Sequence, residues 1–295
     1  KKVIIADTVG LYVDKFYHNI DINFNPDFIL SWIGSLSYTI QLYFDFSGYS
    51  DMAIGLSLLF GVFLPFNFNS PFKSLNIINF WQRWHMSLTK FISEYLFNPL
   101  SLRMTRFSLG RSILIESIFS MIIPILITFF LIGIWHGANW TFALYGIIHA
   151  IFMIINHFWR DRNFLLYIDK NYFIQKAYWL LTFLCVIFSF VIFRAESVAD
   201  SIIIYKGLIG INGINLIAPN IKLILILTFC MFIILKTKST YEIVNSFFDT
   251  KKLKNINYKN KIYREISIYS ILSSFLLILC LLQLSTPSTF LYYQF

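Results

Sequence analysis

ILIESIFSMIIPILITFFLIGIW, residues 113–135, carries a single charge, Glu116, near its start. A helix needs about 20 mostly apolar residues to cross the hydrocarbon core of a bilayer, so this stretch reads as a transmembrane span. It runs into His136, Gly137, Ala138 and Asn139, and then into a second apolar run, WTFALYGIIHAIFMIINHFW (140–159), with no formal charge. Residues 177–193, 221–235 and 266–284 are three further candidate spans, the middle one short. Upstream, residues 28–72 hold only two charges, Asp45 and Asp51. That length suits two passes, or one pass and a re-entrant segment, with a helix break expected at Phe46–Ser47–Gly48–Tyr49. Residues 74–100 mix Arg83, His85, Lys90 and Glu94 with Trp81, Trp84, Phe91 and Tyr95, which predicts interfacial or re-entrant helix. The fold class is therefore all-α and polytopic, with several transmembrane helices.

Composition supports the same reading. Of 295 residues, 57% are hydrophobic, 19% aromatic and 13% charged, with a mean hydropathy of +0.67. A soluble domain carries about a quarter charged residues, so this chain lacks the polar surface to coat a water-soluble globule. A soluble enzyme, a disordered chain and a collagen-like fibre are excluded. The net charge of +9 is explained by topology. Segment 100–112 has Arg103, Arg106 and Arg111; segment 160–176 has Arg160, Arg162, Lys170 and Lys176. Segment 236–264 adds Lys236, Lys238, Lys251, Lys252, Lys254, Lys259, Lys261 and Arg264. The alternate loops 136–139, 194–220 and 285–295 hold only Arg194 and Lys206. Under the positive-inside rule, the basic loops face the cytoplasm and the 136–139 turn and the C-terminus lie outside. Nucleic acid needs no invoking; the lysine- and asparagine-rich stretch 251–264 reads as a solvated cytoplasmic loop in reach of anionic headgroups, so the expected partner is membrane lipid.

Ionisable residues inside membrane segments are costly and mark functional sites by default. Three clusters qualify: YFDFSGYSD (43–51), with Asp45, Tyr49 and Asp51; FWQRWHMSLTKF (80–91), with Arg83 and His85; and LIGIWHGANWTFALYGIIHA (131–150), with Trp135, His136 and Asn139. The carboxylates either line a polar cavity at the expected break, or cap helix ends, or pair with a buried arginine such as Arg83. A neutral imidazole can take a proton from a hydroxyl and return it, which suits acyl transfer to an alcohol. His149 reads as supporting and His157 as structural. Cys185, Cys230 and Cys280 all lie in apolar runs and read as packing residues. No H-x-x-x-H or C-x-x-C spacing supports a metal site, and no tightly bound cofactor is expected.

Together the runs YFDFSGYSDMAIGLSLLFGVFLPFNFNSPF (43–72), NFWQRWHMSLTKFI (79–92) and LIGIWHGANWTFALYGIIHA (131–150) resemble the membrane-bound O-acyltransferase family. The likeness is to its bacterial branch for O-acetylation of alginate and peptidoglycan, and the terminal TFLYYQF fits that branch too. The resemblance implies a ring of tilted helices with short re-entrant helices near 77–110 at a thinned centre. It implies that the family's essential histidine falls on His136 and the histidine of the R-W-H motif on His85, with Asp45, Asp51, Tyr49, Asn139, Arg83 and Trp135 in support. One departure is FNPLSLRMTRFSLGR (97–111), where many relatives carry a glycine-glycine-asparagine-arginine motif; it bears on donor or partner docking. The opening KKVIIAD resembles an internal loop of the family, so the chain is expected to lack the first helices.

The function implied is transfer of an acyl group, expected to be acetyl, from a cytoplasmic thioester such as acetyl-CoA to a hydroxyl of a cell-surface polysaccharide or of an extracytoplasmic SGNH-type partner. The expected location is the cell inner membrane. His136 is the expected general base, with His85 orienting it or stabilising an oxyanion. The expected organisation is a single domain over 1–295, with a catalytic core at 28–159 and C-terminal helices at 160–295. A transporter of a polymer or a lipid-linked precursor is the competing class, because broken helices and intramembrane acids are also transporter features. A non-catalytic anchor for a secreted acetylase is a third.

Overall fold

A computed structural model of the chain describes residues 1–20, 24–160, 171–215, 220–247, 256–282 and 291, with backbone alone at 160, 247 and 256–265. Most of the basic residues expected in the 160–176 and 236–264 loops, and all but one residue of TFLYYQF, lie outside the described residues or side chains. Regular structure among the described residues is helical.

A π-helical turn (Lys2–Ala6) leads into α1 (Asp7–His18). Helix α2 (Phe28–Leu59) follows, capped by Asp27, whose carboxylate accepts the Leu30 N–H at 2.9 Å. It runs unbroken for 32 residues, so the expected break at Phe46–Ser47–Gly48–Tyr49 does not occur. Gly48 has another use there. A Cβ on it would come within 3.1 Å of the Lys1 Cβ and the Lys2 backbone N, so the missing side chain lets the N-terminal turn lie against α2. The helix bears the glycine at about 1 kcal/mol because its central turns are buried on nearly every side.

Beyond α2, the chain runs as an irregular strap to residue 76, interrupted by a 3₁₀ turn (Pro71–Lys73). Short helices follow, as expected for this region: α3 (Ile77–Trp81), α4 (Met86–Ile92), a π-helical turn (Ser93–Phe97) and α5 (Asn98–Ser108). The strap pairs with the α3–α4 link through an antiparallel bridge, Phe68 to Trp84. It is extended by Asn69 N–H to Arg83 C=O and Met86 N–H to Asn67 C=O, both at 3.0 Å.

Helix α6 (Ile113–Ser117) passes through a third π-helical turn (Ile118–Ile122) into α7 (Ile123–His136). The π turn precedes Pro124, which has no N–H to give to the Ser120 carbonyl four residues back. Ser101 of α5 supplies that bond instead, its hydroxyl donating to Ser120 C=O at 2.8 Å. Helix α8 (Trp140–Arg160) folds back along α7. The two backbones meet at Gly133 and Gly146: a Cβ on Gly133 would strike the Phe142 carbonyl oxygen, and one on Gly146 the Phe129 carbonyl oxygen. Small residues of this kind permit close crossing of membrane helices.

The remaining helices are α9 (Tyr172–Arg194), α10 (Val198–Leu208), α11 (Ile221–Lys236), α12 (Thr240–Phe247) and α13 (Ile256–Leu281). Helices α1, α9, α10 and α11 pack around α2, which is the centre of the molecule. By length and composition, three stretches among the described residues can cross a membrane: Ile113–His136, Trp140–Trp159 and Tyr172–Arg194. These coincide with three of the five spans read from residue 113 onward; the 28–72 stretch, read as one or two passes, holds the single helix α2 and is not among them. Helix α11 has 16 residues, about 24 Å at 1.5 Å per residue, which is short of a 30 Å core. The described apolar part of α13, Ile266–Leu281, is also short. Cys230 is buried, Cys185 and Cys280 are half-buried, and all three are free thiols.

Candidate functional site: a cavity between two histidines

His136 is the last residue of α7. Its ring stands edge-on to Phe193 of α9 at 5.0 Å and beside Trp135 at 4.8 Å, with Tyr145 of α8 at 6.3 Å. His85 sits between α3 and α4 in the left-handed region, φ 46° and ψ 52°. That conformation is uncommon away from glycine and costs roughly 1–2 kcal/mol. The strap holds it there, since Met86 and Asn69 are hydrogen-bonded on either side of the link. The His85 ring packs edge-on to Phe46 of α2 at 4.6 Å.

Asn67, on the strap, fixes the His85 tautomer. Its Oδ1 accepts the Ser87 hydroxyl at 2.6 Å and the Ser87 backbone N–H at 3.3 Å, and lies 3.3 Å from His85 Nδ1. A backbone N–H can only donate, so the oxygen of the amide faces this cluster. The amide nitrogen accordingly points away and donates to Ser50 Oγ at 3.3 Å. His85 Nδ1 therefore carries a hydrogen, and in the neutral ring Nε2 is an acceptor.

The two histidines line one cavity of about 20 Å³, walled by Leu42, Phe46, Trp81, Trp84, Leu88, Tyr145, Phe190 and Phe193. That is room for about one water molecule. Four separate regions build it: α2, the α3–α4 segment, the α7–α8 hairpin and α9. Phe190 and Phe193 lie outside the 28–159 core expected from sequence. Trp81 is fixed from behind, its indole N–H donating to His149 Nδ1 at 3.2 Å. His149 is fully buried, so it supports a wall of the cavity without lining it.

The other residues singled out in the sequence lie elsewhere. Asp45 is buried but accepts Lys2 Nζ at 2.6 Å and the Leu291 N–H at 3.3 Å. Lys2 also reaches Asp7 at 2.6 Å. Asp51 pairs with Lys1 at 2.6 Å and accepts the Thr240 hydroxyl at 2.9 Å. The carboxylates thus fasten the N-terminal turn and α12 to α2, and neither takes Arg83 as its cation. Arg83 instead donates to the Asn69 carbonyl at 3.4 Å. Tyr49 is exposed at 44% and is not among the lining residues. Asn139 accepts the Thr141 N–H at 3.2 Å and donates to the Glu196 carbonyl at 3.1 Å, joining the start of α8 to the α9–α10 link. Trp135 touches His136 but is 58% exposed. His157 lines a different, larger cavity.

Residues missed in the sequence include Asn67, Trp81, Leu88, Tyr145 and Phe193. Asn67 carried a signal, being an amide in the otherwise apolar LFGVFLPFNF; the others are apolar or aromatic residues among dozens alike. Among the described residues no three of His, Cys, Asp or Glu gather in a metal-binding group.

Apolar spanning helices, short central helices and two converging histidines define a polytopic membrane protein with a half-buried imidazole pair. Residues 10–198 match the membrane-bound O-acyltransferase family, and the chain belongs to it. The chain is 38% identical over 218 residues to a peptidoglycan O-acetyltransferase of Helicobacter pylori, covering 73% of this chain and 38% of that protein. It is 40% identical over 201 residues to a probable alginate O-acetylase of Azotobacter vinelandii, covering 67% and 35%. It is 35% identical over 165 residues to a teichoic acid D-alanyltransferase of Bacillus subtilis, covering 54% and 40%. The chain spans well under half the length of these relatives.

Proposed function

We propose that this chain forms the reaction centre of a membrane O-acyltransferase that moves an acetyl group from a cytoplasmic thioester, such as acetyl-CoA, to a hydroxyl outside the cell membrane. The acceptor is a cell-surface polysaccharide, or the serine of an SGNH-type partner that passes the group on. The observation that carries this is the convergence of His85 and His136, from separate motifs, on one small cavity. The relatives' names support the acyl class, and the two named for O-acetylation align over more of this chain than the D-alanyltransferase does. The protein sits in the inner membrane with its basic loops in the cytoplasm and its C-terminus outside, as the charge asymmetry favours. No tightly held cofactor takes part.

In this reading, His136 removes the proton as the acceptor oxygen attacks the thioester carbonyl carbon. The new C–O bond forms, the C–S bond breaks, and the thiolate leaves to be protonated. His85 orients His136 or the incoming hydroxyl through Nε2. The Asn67 contact favours this role over oxyanion stabilisation, because the neutral ring has no hydrogen on Nε2 to donate. Asp45, Asp51, Tyr49, Asn139, Arg83 and Trp135 serve by holding the surrounding elements.

Removal of the amide in Asn67→Ala unfastens the tautomer. A lost hydrogen bond of about 1 kcal/mol predicts roughly a fivefold fall in kcat with donor KM unchanged. An unaltered kcat at equal protein level removes Asn67 from the scheme.

The decisive assay uses the full-length protein in detergent, labelled acetyl-CoA and isolated surface polymer. Ester-linked label appearing without any membrane gradient is the expected result. No thioester consumption with donor and acceptor both present rejects acyl transfer and favours transport.

A further inference from the structure

We propose that Leu88 sets the length of the acyl group this protein transfers, an inference that rests on the acyl-transfer reading above. The carbonyl carbon under attack has to lie between His85 and His136, so its alkyl tail occupies whatever space adjoins them. The cavity there is about 20 Å³, which takes a methyl group and little more. Sharing a wall with it is a second cavity of about 360 Å³, lined mainly by apolar side chains such as Ile92, Phe129 and Ile132, with Gln82, Thr128 and His157 as its polar part. Ile132 is four residues before His136, one helical turn along the same face of α7.

Two residues, Trp81 and Leu88, line both cavities and so form the partition between them. Trp81 is the fixed half, 5% exposed, bonded to His149 and packed edge-on to Phe129 at 5.1 Å. Leu88 is the half that size alone controls. It is half-buried on the seven-residue helix α4 and has no polar group to anchor it. Shortening it joins the small cavity to the large one and gives a longer tail somewhere to go. A single methylene in a hydrophobic pocket changes selection by about 10- to 200-fold, so the effect is measurable.

The test uses envelopes containing the full-length protein and surface polymer, incubated with acetyl-, butyryl- or hexanoyl-CoA labelled in the acyl group. Alkali-labile ester on the polymer is counted. In Leu88→Ala the ratio of butyryl to acetyl transfer rises by about tenfold or more over wild type, and hexanoyl transfer becomes detectable. Leu88→Val gives a smaller shift in the same direction and serves if the alanine variant fails to accumulate. An equal change with all three donors overturns the proposal, because it places Leu88 on the donor's route and not against its acyl tail. Loss of transfer with every donor in both variants at normal protein level also overturns it. Failure of the acyl-transfer reading looks different: wild-type envelopes then form no ester that His136→Ala abolishes.

Discussion

In His136→Ala, acyl ester on the surface polymer falls by about 10²- to 10⁴-fold, the usual contribution of a general acid–base group, while the amount of protein in the membrane is unchanged. The ring lies at the end of α7, half-buried among Trp135, Tyr145 and Phe193. Removing it leaves α7 and α8 packed as before, because their contact is made through Gly133 and Gly146 and the side chains beyond. The loss is therefore in chemistry, not in assembly. His136→Gln, which keeps a polar side chain of similar reach but takes up no proton at neutral pH, shows the same loss. Ester content at the wild-type level in either variant, measured after alkaline release and normalised to protein, would falsify the assignment.

Gly146→Leu produces the largest structural effect. A Cβ at this position meets the Phe129 carbonyl oxygen and approaches Gly133 Cα at 3.3 Å. The obstacle is backbone on both sides, which no rotamer change relieves. Even Gly146→Ala costs in the range of about 1–3 kcal/mol typical of overpacking, read as a lower unfolding temperature in detergent. The leucine variant forces α8 away from α7 and fails to accumulate. Because Tyr145 precedes this glycine and His136 lies one turn from Gly133, the alanine variant also loses activity beyond what its remaining folded fraction explains. A Gly146→Leu protein with wild-type stability removes the close helix crossing from the fold.

Much of this was legible in one dimension. A membrane span is recorded locally, as about 20 apolar residues in a row, so residues 113–135 and 140–159 declare their helices without reference to anything else. The scarcity of charge in those runs likewise makes His136, at the turn between them, conspicuous, while His85 is picked out by its R-W-H motif. The carboxylates show where this stops. Asp45 and Asp51 are equally conspicuous in sequence, yet their partners are Lys2 and Lys1, chosen by how the N-terminal turn lies on α2. Gly48 misleads for the same reason: a glycine that breaks a helix and one that admits a neighbouring backbone look alike in a string of letters.

The all-α membrane class and the spans at 113–135, 140–159 and 177–193 can thus be read along the chain, because hydrophobic length is a property of short segments; the two histidines stand out there as intramembrane polarity carried by recognisable motifs. That the histidines share a cavity, that Asn67 sets the protonation of one of them, and that Trp81 and Leu88 partition the space beside them emerge from the folded chain. Those depend on segments far apart in the chain meeting at one point, where the Gly133–Gly146 contact and the strap across the α3–α4 link fix distances that no local pattern encodes.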